Sequence, residues 1–353
     1  MRAITVAPKQ SGSVSLDDVP EPPPTEDSVL AEVIAIGICG TDVEIIRGEY
    51  GWAPPGRERL VIGHESLARV VEAPPASGLS AGDLVVGIVR RPDPVPCAFC
   101  AAGDWDFCDN GRYTERGIKE LDGYGSERVR IEAPFVVRVD RALGMRGVLL
   151  EPASVVAKAW RVTEAAGRRA EWKPRVALVT GAGPIGLLAA LLGVQRGLEV
   201  HVLDRVTDGP KPELVRRLGA HYHSSSVDDA GPEPDVILEC TGVDTVVFAA
   251  MDRVRRNGVV CLTGVSSGAH VMSSVNIGKL NRSIVLENNL VVGSVNANRR
   301  DYEAGAAALA AADPAWLDGV IARRVPLSRW HEAFEHHAGD VKTILCFDER
   351  SLA

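Results

Sequence analysis

The stretch Val176-Ala-Leu-Val-Thr180, followed at once by Gly181-Ala-Gly183-Pro-Ile-Gly186, decides the fold of this chain. Its first five residues form a short apolar run, and an apolar helical pattern continues over residues 187–194. Between a strand and a helix, the GxGxxG spacing allows a tight turn, a close approach of backbone to a pyrophosphate, and packing of helix on strand. It predicts a dinucleotide-binding unit in which the cofactor contacts Gly181, Gly183, Pro184, Ile185 and Gly186.

The next strand predicts which dinucleotide is bound. Glu199–Leu203 is a β-branched run that ends at Asp204, eighteen residues after Gly186. A carboxylate at this position accepts the adenosine ribose hydroxyls and repels a 2′-phosphate, whereas the neighbouring Arg205 suits the phosphate of NADP. Both cofactors remain open, and NAD is favoured.

The remainder of this half alternates strand-like and helix-like segments. Asp235–Glu239 and Gly258–Thr263 read as buried strands, with a helical pattern between them. Such alternation predicts right-handed crossovers and a parallel sheet. The small residues after these strands, Thr241 and Gly264, are expected to lie against the cofactor.

Composition and charge exclude several classes of protein. The chain has 353 residues, 46% hydrophobic and 24% charged, with a formal net charge of −8, which argues against a nucleic-acid partner. No signal peptide is visible, and the uncharged run 176–195 is glycine-rich and fits a buried strand, turn and helix better than a membrane span. Seven cysteines, an odd number, favour a reducing compartment, so we expect a cytoplasmic protein.

The first half reads as strands separated by Pro and Gly, which predicts a compact antiparallel β-domain; the clearest runs are Arg2–Ala7, Ser28–Ile36, Ser66–Glu72 and Asp83–Ile88. Cys39 follows the second of these runs, and His64 and Glu65 precede the third. Thiolate, imidazole and carboxylate are ligands that Zn²⁺ prefers. Ordinary packing of these residues is the alternative.

Three motifs taken together resemble the zinc-dependent medium-chain dehydrogenases/reductases, and within them the glucose (aldose) dehydrogenase branch. These motifs are Gly37-Ile-Cys-Gly-Thr-Asp42, Gly63-His-Glu65 and Leu149-Leu-Glu-Pro152. The resemblance implies an α/β plus β fold. A GroES-like catalytic zinc domain would occupy residues 1–155 and a Rossmann NAD(P)-binding domain residues 156–295. Residues 296–353 would return to the catalytic domain.

The resemblance also implies roles for the residues of these motifs. Cys39 and His64 would be ligands of a catalytic zinc, and Glu65 and Glu151 would bind it directly or through water. Asp42 would fix the tautomer of the His64 ring, as outer partners of zinc-bound histidines do. Thr41 would accept the substrate's proton, although a helix N-cap is also a fitting role for Thr41-Asp42.

Cys97-Ala-Phe-Cys100 and Cys108 resemble the superfamily's structural zinc lobe, which has four cysteines. Here the first position falls on Pro94, so the site is one ligand short, and Asp93 is the nearest oxygen donor. We expect a second zinc at this lobe. A lobe that holds free thiols is the alternative.

Two further motifs imply contacts with substrate. Glu115 precedes Arg116-Gly117-Ile118, and in the resembled branch the matching Glu contacts sugar hydroxyls; a solvated loop carboxylate is the alternative. Asn296 lies in Gly293-Ser-Val-Asn, where the branch contacts cofactor or sugar. Val89 falls where some family members place Asn, which would remove a sugar contact.

The expected reaction is hydride transfer from C1 of an aldose such as glucose to NAD(P)⁺, which gives the lactone. A zinc-dependent polyol, aminocyclitol or alcohol dehydrogenase is the nearest alternative. A zinc-free enone reductase and a catalytically inert dinucleotide-binding protein are more distant ones. By resemblance we expect a homodimer or homotetramer. His331, His336 and His337 are predicted to lie solvated on an exposed helix.

Overall fold

The chain divides into two units at residues 154/155 and 295/296 of a computed structural model, which describes residues 1–266, 275–337 and 339–348. Unit 1 comprises Met1–Ser154 and Asn296–Ala353, and unit 2 comprises Val155–Val295.

In chain order, the first elements are β1 Arg2–Val6, β2 Ser15–Asp18, β3 Ser28–Ile38, α1 Gly40–Ile46, β4 Leu60–Val61, β5 Glu65–Glu72, β6 Leu84–Gly87, β7 Arg90–Arg91, α2 Ala98–Ala101, β8 Thr114–Arg116, β9 Glu120–Leu121, β10 Arg128–Glu132, β11 Val136–Val139 and α3 Leu150–Gly167. Those of unit 2 are β12 Val176–Thr180, α4 Pro184–Gln195, β13 Glu199–Leu203, α5 Pro210–Arg217, β14 His221–His223, β15 Val236–Glu239, α6 Asp244–Arg253, β16 Val259–Leu262, α7 Ile277–Glu287 and β17 Leu290–Gly293. The chain continues with α8 Arg299–Ala310, α9 Pro314–Val320, β18 Ile321–Pro326 and β19 Lys342–Cys346.

Unit 1 is built around β3, the longest strand of its main sheet. The sheet has the order β11-β6-β5-β3-β19-β18, and β10 pairs with the first half of β3 while β19 pairs with its second half. Alternate side chains of these strands fill a buried core that includes Ile36, Val85 and Leu345. The final strand β19 therefore lies in the sheet of unit 1, next to the strand that leads to Cys39.

Unit 2 contains a six-stranded parallel sheet of order β14-β13-β12-β15-β16-β17. If the strands are numbered from β12 as the first strand of unit 2, the order is 3-2-1-4-5-6. This is the doubly wound arrangement of dinucleotide-binding proteins. The predicted parallel sheet is confirmed, and its β12–turn–α4 segment has the predicted position. Together the two sheets confirm the predicted fold class, a β unit whose main sheet is antiparallel except for the parallel pair β18–β19, with a Rossmann-type α/β unit.

The prediction that His331, His336 and His337 share one helix is wrong, because the helical segment ends before His336. His331 lies in a 3₁₀ segment, Leu327–Phe334, which ends where Glu335 takes an extended backbone (φ −79°, ψ 134°). His336 and His337 follow that end, and all three histidines are exposed, as predicted. Among the described helices, none is long and apolar enough to cross a membrane.

Candidate active site and dinucleotide loop

Strand pairing in unit 1 assembles the donor residues of the first half. In the antiparallel pair of β3 and β5, Gly37 lies opposite Glu65. Cys39 comes two residues after Gly37 and His64 one residue before Glu65, so the pairing brings thiol, imidazole and carboxylate to one end of the sheet. Their donor atoms all lie within 4.8 Å of one another.

Gly37 is required by the side chain of Glu65. A Cβ atom at position 37 would lie 2.0 Å from Oε2 of Glu65, far inside van der Waals contact. The buried carboxylate thus crosses β3 at the one place where that strand has no side chain.

The Cys39 thiol and the His64 ring face each other. Nε2 of His64 lies 3.1 Å from Sγ of Cys39, and its Nδ1 lies 3.5 Å from Oδ1 of Asp42. Cys39 is also the N-cap of α1, since its Sγ accepts the Thr41 N–H at 3.3 Å and its own N–H donates to Oδ2 of Asp42 at 3.0 Å. The predicted N-cap function thus falls on Cys39, with Asp42 as the reciprocal acceptor.

The negative charges around the His64 ring favour a cation at this position. Burial alone would lower the pKa of His64, but the Cys39 and Asp42 charges outweigh it and raise that pKa well above its usual value. In the described structure neither Nδ1 of His64 nor Oδ1 of Asp42 has a hydrogen-bond partner. A cation between Sγ and Nε2 would leave the ring proton on Nδ1, facing the Asp42 carboxylate. The donor set therefore fits zinc.

Lys342 is a residue of this group that the sequence analysis missed. Its Nζ donates to both carboxylate oxygens of Glu65, each at 2.7 Å, and to the carbonyl oxygen of Ile38 at 3.0 Å. The side chains of Lys342 and Glu65 are only 1% and 4% exposed. In the sequence, a lysine at the start of an apolar strand indicates a buried charge that needs a counterion. The sequence does not reveal which residue that is, because Glu65 lies 277 residues away.

Glu151 lies in the first turn of α3 and is buried. Burial is the main cause that raises its pKa to about 7, and the charge of Glu65 adds to the effect while those of His64 and Lys342 oppose it. The carboxyl group is therefore near the donor group. It is not one of the donors that lie within 4.8 Å of one another in the described structure.

The three cysteines of the predicted structural zinc lobe also lie close together. Cys97, Cys100 and Cys108 place their sulfur atoms within 4.8 Å of one another, on and beside the short helix α2. Backbone N–H groups of Cys100 and Asp109 lower the pKa of Cys97 to about 6, whereas burial raises that of Cys100 to about 11.

The side-chain carboxylate of Asp93 has hydrogen-bond partners other than these sulfur atoms. Its carboxylate accepts the Val95 N–H at 2.8 Å, the Asn110 side chain at 2.7 Å and the Arg112 guanidinium at 3.2 Å. It is outside the group of donors formed by the three cysteines. The nature of a fourth ligand thus stays a prediction.

Glu115 and Asn296, both predicted to bind substrate, contact each other although 181 residues separate them. Oε1 of Glu115 accepts the Asn296 side-chain amide at 2.7 Å and two Arg90 donors at 3.1 and 3.0 Å. The Arg90 guanidinium also stacks over the Tyr113 ring, 3.8 Å from its centroid. Glu115 is 6% exposed, so the solvated-loop alternative is wrong: the β7–β8 pair turns this carboxylate inwards.

Val89, next to Arg90, connects this cluster to the neighbourhood of Glu151. Its side chain is buried, and its N–H donates to the Tyr302 hydroxyl at 3.3 Å. Burial raises the pKa of Tyr302 well above its usual value, and the Glu151 charge adds to that shift. Val89 therefore contributes backbone, and no polar side chain, to this region.

In unit 2 the glycine-rich turn joins β12 to α4. Gly183 is the N-cap of α4 and Pro184 and Ile185 open its first turn. A Cβ atom at Gly186 would lie 1.8 Å from the carbonyl oxygen of Gly181, so this position accepts only glycine. The backbone N–H groups at the start of the helix remain available for an anion.

Asp204 follows β13 and faces this turn. Its carboxylate accepts the Ala182 N–H at 2.7 Å, the Val206 N–H at 3.1 Å and Nζ of Lys211 at 3.3 Å. Burial would raise the pKa of Asp204, but the two backbone donors and Lys211 outweigh it and lower that pKa. Arg205 is exposed.

Glu239 is a second residue that the sequence analysis missed. It ends β15, is fully buried, and accepts the N–H groups of Thr241 at 2.8 Å and Gly242 at 3.1 Å, together with the Thr241 hydroxyl. Its carbonyl oxygen accepts the Gly264 N–H at 3.0 Å. It thereby orders both segments predicted to lie against the cofactor. In the sequence, the only indication of this role is a carboxylate that ends an otherwise apolar strand.

The chain thus combines a GroES-like β unit bearing a zinc-type donor group with a Rossmann-type sheet, which defines a medium-chain dehydrogenase/reductase. A family model described as "Alcohol dehydrogenase GroES-like domain" matches residues 25–141. A model described as "Glucose dehydrogenase C-terminus" matches residues 144–347, more than half of the chain. The chain therefore belongs to the glucose dehydrogenase family, as the resemblance predicted.

Individual relatives agree over the full length. Glucose 1-dehydrogenase 2 of Vulcanisaeta moutnovskia is 39% identical, with 98% of this chain and 99% of that protein covered. Glucose 1-dehydrogenase of Thermoproteus tenax is 38% identical, with 98% and 99% covered. Among solved structures, Haloferax mediterranei glucose dehydrogenase in complex with NADP, Zn and gluconolactone superposes with a TM-score of 0.91 at 31% identity, and 99% of each chain is covered.

Proposed function

We propose that this protein is a zinc-dependent glucose 1-dehydrogenase, which transfers a hydride from C1 of an aldose to NAD(P)⁺ and releases the lactone. The observation that carries the proposal is the convergence of Cys39, His64 and Glu65 within 4.8 Å in a member of this family. Residues 1–155 with 296–353 would form the catalytic domain, and residues 156–295 the nucleotide-binding domain.

Cys39 and His64 would hold the zinc, with Glu65 and Glu151 as carboxylate ligands or partners of its water. When bound, Zn²⁺ would act as a Lewis acid that stabilises negative charge on the hydroxyl oxygen of the carbon that is oxidised. Asp42, whose Oδ1 lies 3.5 Å from Nδ1 of His64, would accept the Nδ1 proton and so keep Nε2 directed at the metal position. Thr41, half-buried beside Cys39, would accept the proton of the sugar hydroxyl.

Glu115 and Asn296 would position the sugar. All three bonds that Glu115 receives from Arg90 and Asn296 end on Oε1. We assign its second oxygen, Oε2, to a sugar hydroxyl, a charge-assisted hydrogen bond in a buried setting. The part of the Asn296 side-chain amide that does not bond to Glu115 would contact cofactor or sugar.

Glu115→Gln is expected to raise the KM for glucose by about tenfold or more, because the bond to a charged acceptor is worth roughly 1.5–3 kcal/mol. The fold should be retained, since a glutamine Oε1 still accepts the Arg90 and Asn296 donors, but the free energy of unfolding should fall because the buried Arg90 loses its counterion. Steady-state kinetics with glucose, together with thermal unfolding, measure both effects.

Glu120→Gln is the matched control for this change. Glu120 is the strand partner of Glu115 in β9 but is exposed, so its KM for glucose should equal that of the wild type. An unchanged KM in Glu115→Gln would remove the sugar-binding role of this residue.

NAD remains the favoured cofactor in this proposal. The ionised Asp204 carboxylate lies against the glycine-rich turn and suits the ribose hydroxyls, while a 2′-phosphate there would meet like charge. Lys211, 3.3 Å from Asp204, and the exposed Arg205 are the cations that favour NADP instead.

The seven cysteines form no disulfide bond, which suits a reducing compartment such as the cytoplasm.

A panel of aldoses, polyols and simple alcohols, each assayed with NAD⁺ and NADP⁺, tests substrate and cofactor together. We expect the highest kcat/KM with an aldose. With NAD⁺ it should be at least about tenfold above that with NADP⁺, because the half-buried Asp204 carboxylate would repel the 2′-phosphate. A higher kcat/KM with a polyol or alcohol would contradict the aldose assignment. A preference of about tenfold for NADP⁺ would contradict only the cofactor assignment.

Two further parts of the proposal concern a second zinc site and the association of chains. Cys97, Cys100 and Cys108 would bind a structural zinc. Homo-oligomers would form through β17, an edge strand of the unit 2 sheet, next to a helix α7 whose Ile277, Val285 and Leu286 are more than 60% exposed. A dimer or a tetramer would cover these side chains.

A further inference from the structure

A group of histidines lies at the edge of the unit 2 sheet, apart from the residues assigned above. β14 is the edge strand, and it pairs in parallel with β13 so that His221 lies opposite His201 and His223 opposite Leu203. Because side chains two residues apart share a face of a strand, Glu199, His201, His221 and His223 all project from the same face.

The donor atoms of this group are close together. Ligand atoms of Glu199, His201 and His221 all lie within 4.8 Å of one another. Oε1 of Glu199 is 3.0 Å from Nε2 of His201, and the His201 and His221 rings stack with centroids 4.8 Å apart. Two imidazoles and a carboxylate around one point are a ligand set suited to zinc, copper and nickel.

The central ring is fixed by its surroundings. His201 is only 5% exposed, and its Nδ1 lies 2.8 Å from Nε2 of His223. At this distance Nε2 of His223 can accept the Nδ1 proton of His201. That hydrogen bond leaves the lone pair of His201 on Nε2, next to Glu199. Metal-bound histidines usually donate their other ring N–H in this way.

The outer two side chains are free to adjust. Glu199 and His221 are both exposed, whereas His201 is anchored. Donor atoms bound tetrahedrally at about 2.1 Å lie roughly 3.4 Å apart, so closing the group needs movements of about 1 Å by these two side chains. The open side would carry water.

We propose that Glu199, His201 and His221 form a binding site for a divalent transition-metal ion of the zinc, nickel or copper type, with His223 as the acceptor that orients His201. The site contains no thiolate, which separates it chemically from the two cysteine-containing groups of unit 1. A bound ion would tie the edge strand β14 to β13 and stabilise unit 2. The proposal is independent of the reaction proposed above.

Ni²⁺ is the probe for this site. Zinc-loaded protein is first dialysed until only the cysteine-containing groups of unit 1 keep their zinc. It is then dialysed to equilibrium against micromolar Ni²⁺, and both metals are counted per chain. The wild type should retain one Ni²⁺ more than His221→Ala does, with the same zinc content, and the variant's affinity for that ion should fall by at least tenfold. Saturation with Ni²⁺ should raise the Tm of the wild type by several degrees and leave that of His221→Ala unchanged.

His336→Ala is the matched control, because His336 is an exposed histidine outside the group. It should bind Ni²⁺ as the wild type does. Glu199→Gln should weaken the binding without removing either histidine. Equal Ni²⁺ binding and equal Tm shifts in wild type and His221→Ala would overturn the proposal. So would a loss of the ion in His336→Ala, since exposed histidines at large would then be the ligands.

Discussion

His64→Ala is expected to lower kcat for glucose oxidation by at least about 10³-fold, because loss of a metal ligand removes several kcal/mol of charge stabilisation. Affinity for NADH should be unchanged, since the glycine-rich turn and Asp204 belong to unit 2. Cys39→Ser should act in the same direction. Turnover kinetics, zinc content and an NADH fluorescence titration measure the three quantities.

The control for this change is again His336→Ala, a histidine without packing or bonds to the donor group. Its kcat and zinc content should match those of the wild type. Turnover of His64→Ala within about tenfold of the wild type would contradict the zinc mechanism, because a loss below about 1.4 kcal/mol is too small for a ligand of the catalytic metal. Normal turnover by metal-stripped wild type would contradict it as well.

Lys342→Met is expected to lower the free energy of unfolding of zinc-stripped protein by about 3–5 kcal/mol, because it leaves the buried Glu65 carboxylate without a counterion. In zinc-loaded protein the loss should be smaller, since a metal ligated by Glu65 replaces the ammonium as its counterion. Urea unfolding with and without zinc, followed by a probe in unit 1, measures the difference.

Two comparisons isolate the ion pair. In a Glu65→Gln background, Lys342→Met should cost much less, because a neutral amide remains in place of a charge. Lys173→Met, which removes an ion pair whose side chains are more than 80% exposed, should cost less than about 1 kcal/mol. Equal losses from Lys342→Met in both Glu65 backgrounds would show that the lysine acts through packing alone.

The parts that sequence predicted depend on local patterns. The strand–turn–helix around Gly181 and the alternation that follows it are set within a few residues, so the parallel sheet could be predicted. Cys39, His64 and Glu65 could be grouped because their motifs are distinctive. Their place in the fold then follows from one antiparallel pair, β3 with β5.

The parts that sequence did not predict depend on distant partners. Lys342 contacts Glu65 across 277 residues, and Arg90 meets Glu115 through a two-residue strand. Neither pairing has a periodic signature, since a charged residue in an apolar run does not reveal its counterion. The same holds for Glu239 and for the stacked histidines of β13 and β14, whose roles arise only from strand register.

The place of β19 in the sheet has a consequence for folding during synthesis. β3 and β5 are made close together, but the strand that supplies the counterion of Glu65 is made 277 residues later. Until then a carboxylate and the edge of β3 lack their partner, and all of unit 2 can fold meanwhile. Such long-range closure slows folding and favours association of incomplete chains. Chains that end before residue 342 should therefore be retained by chaperones rather than accumulate as folded protein.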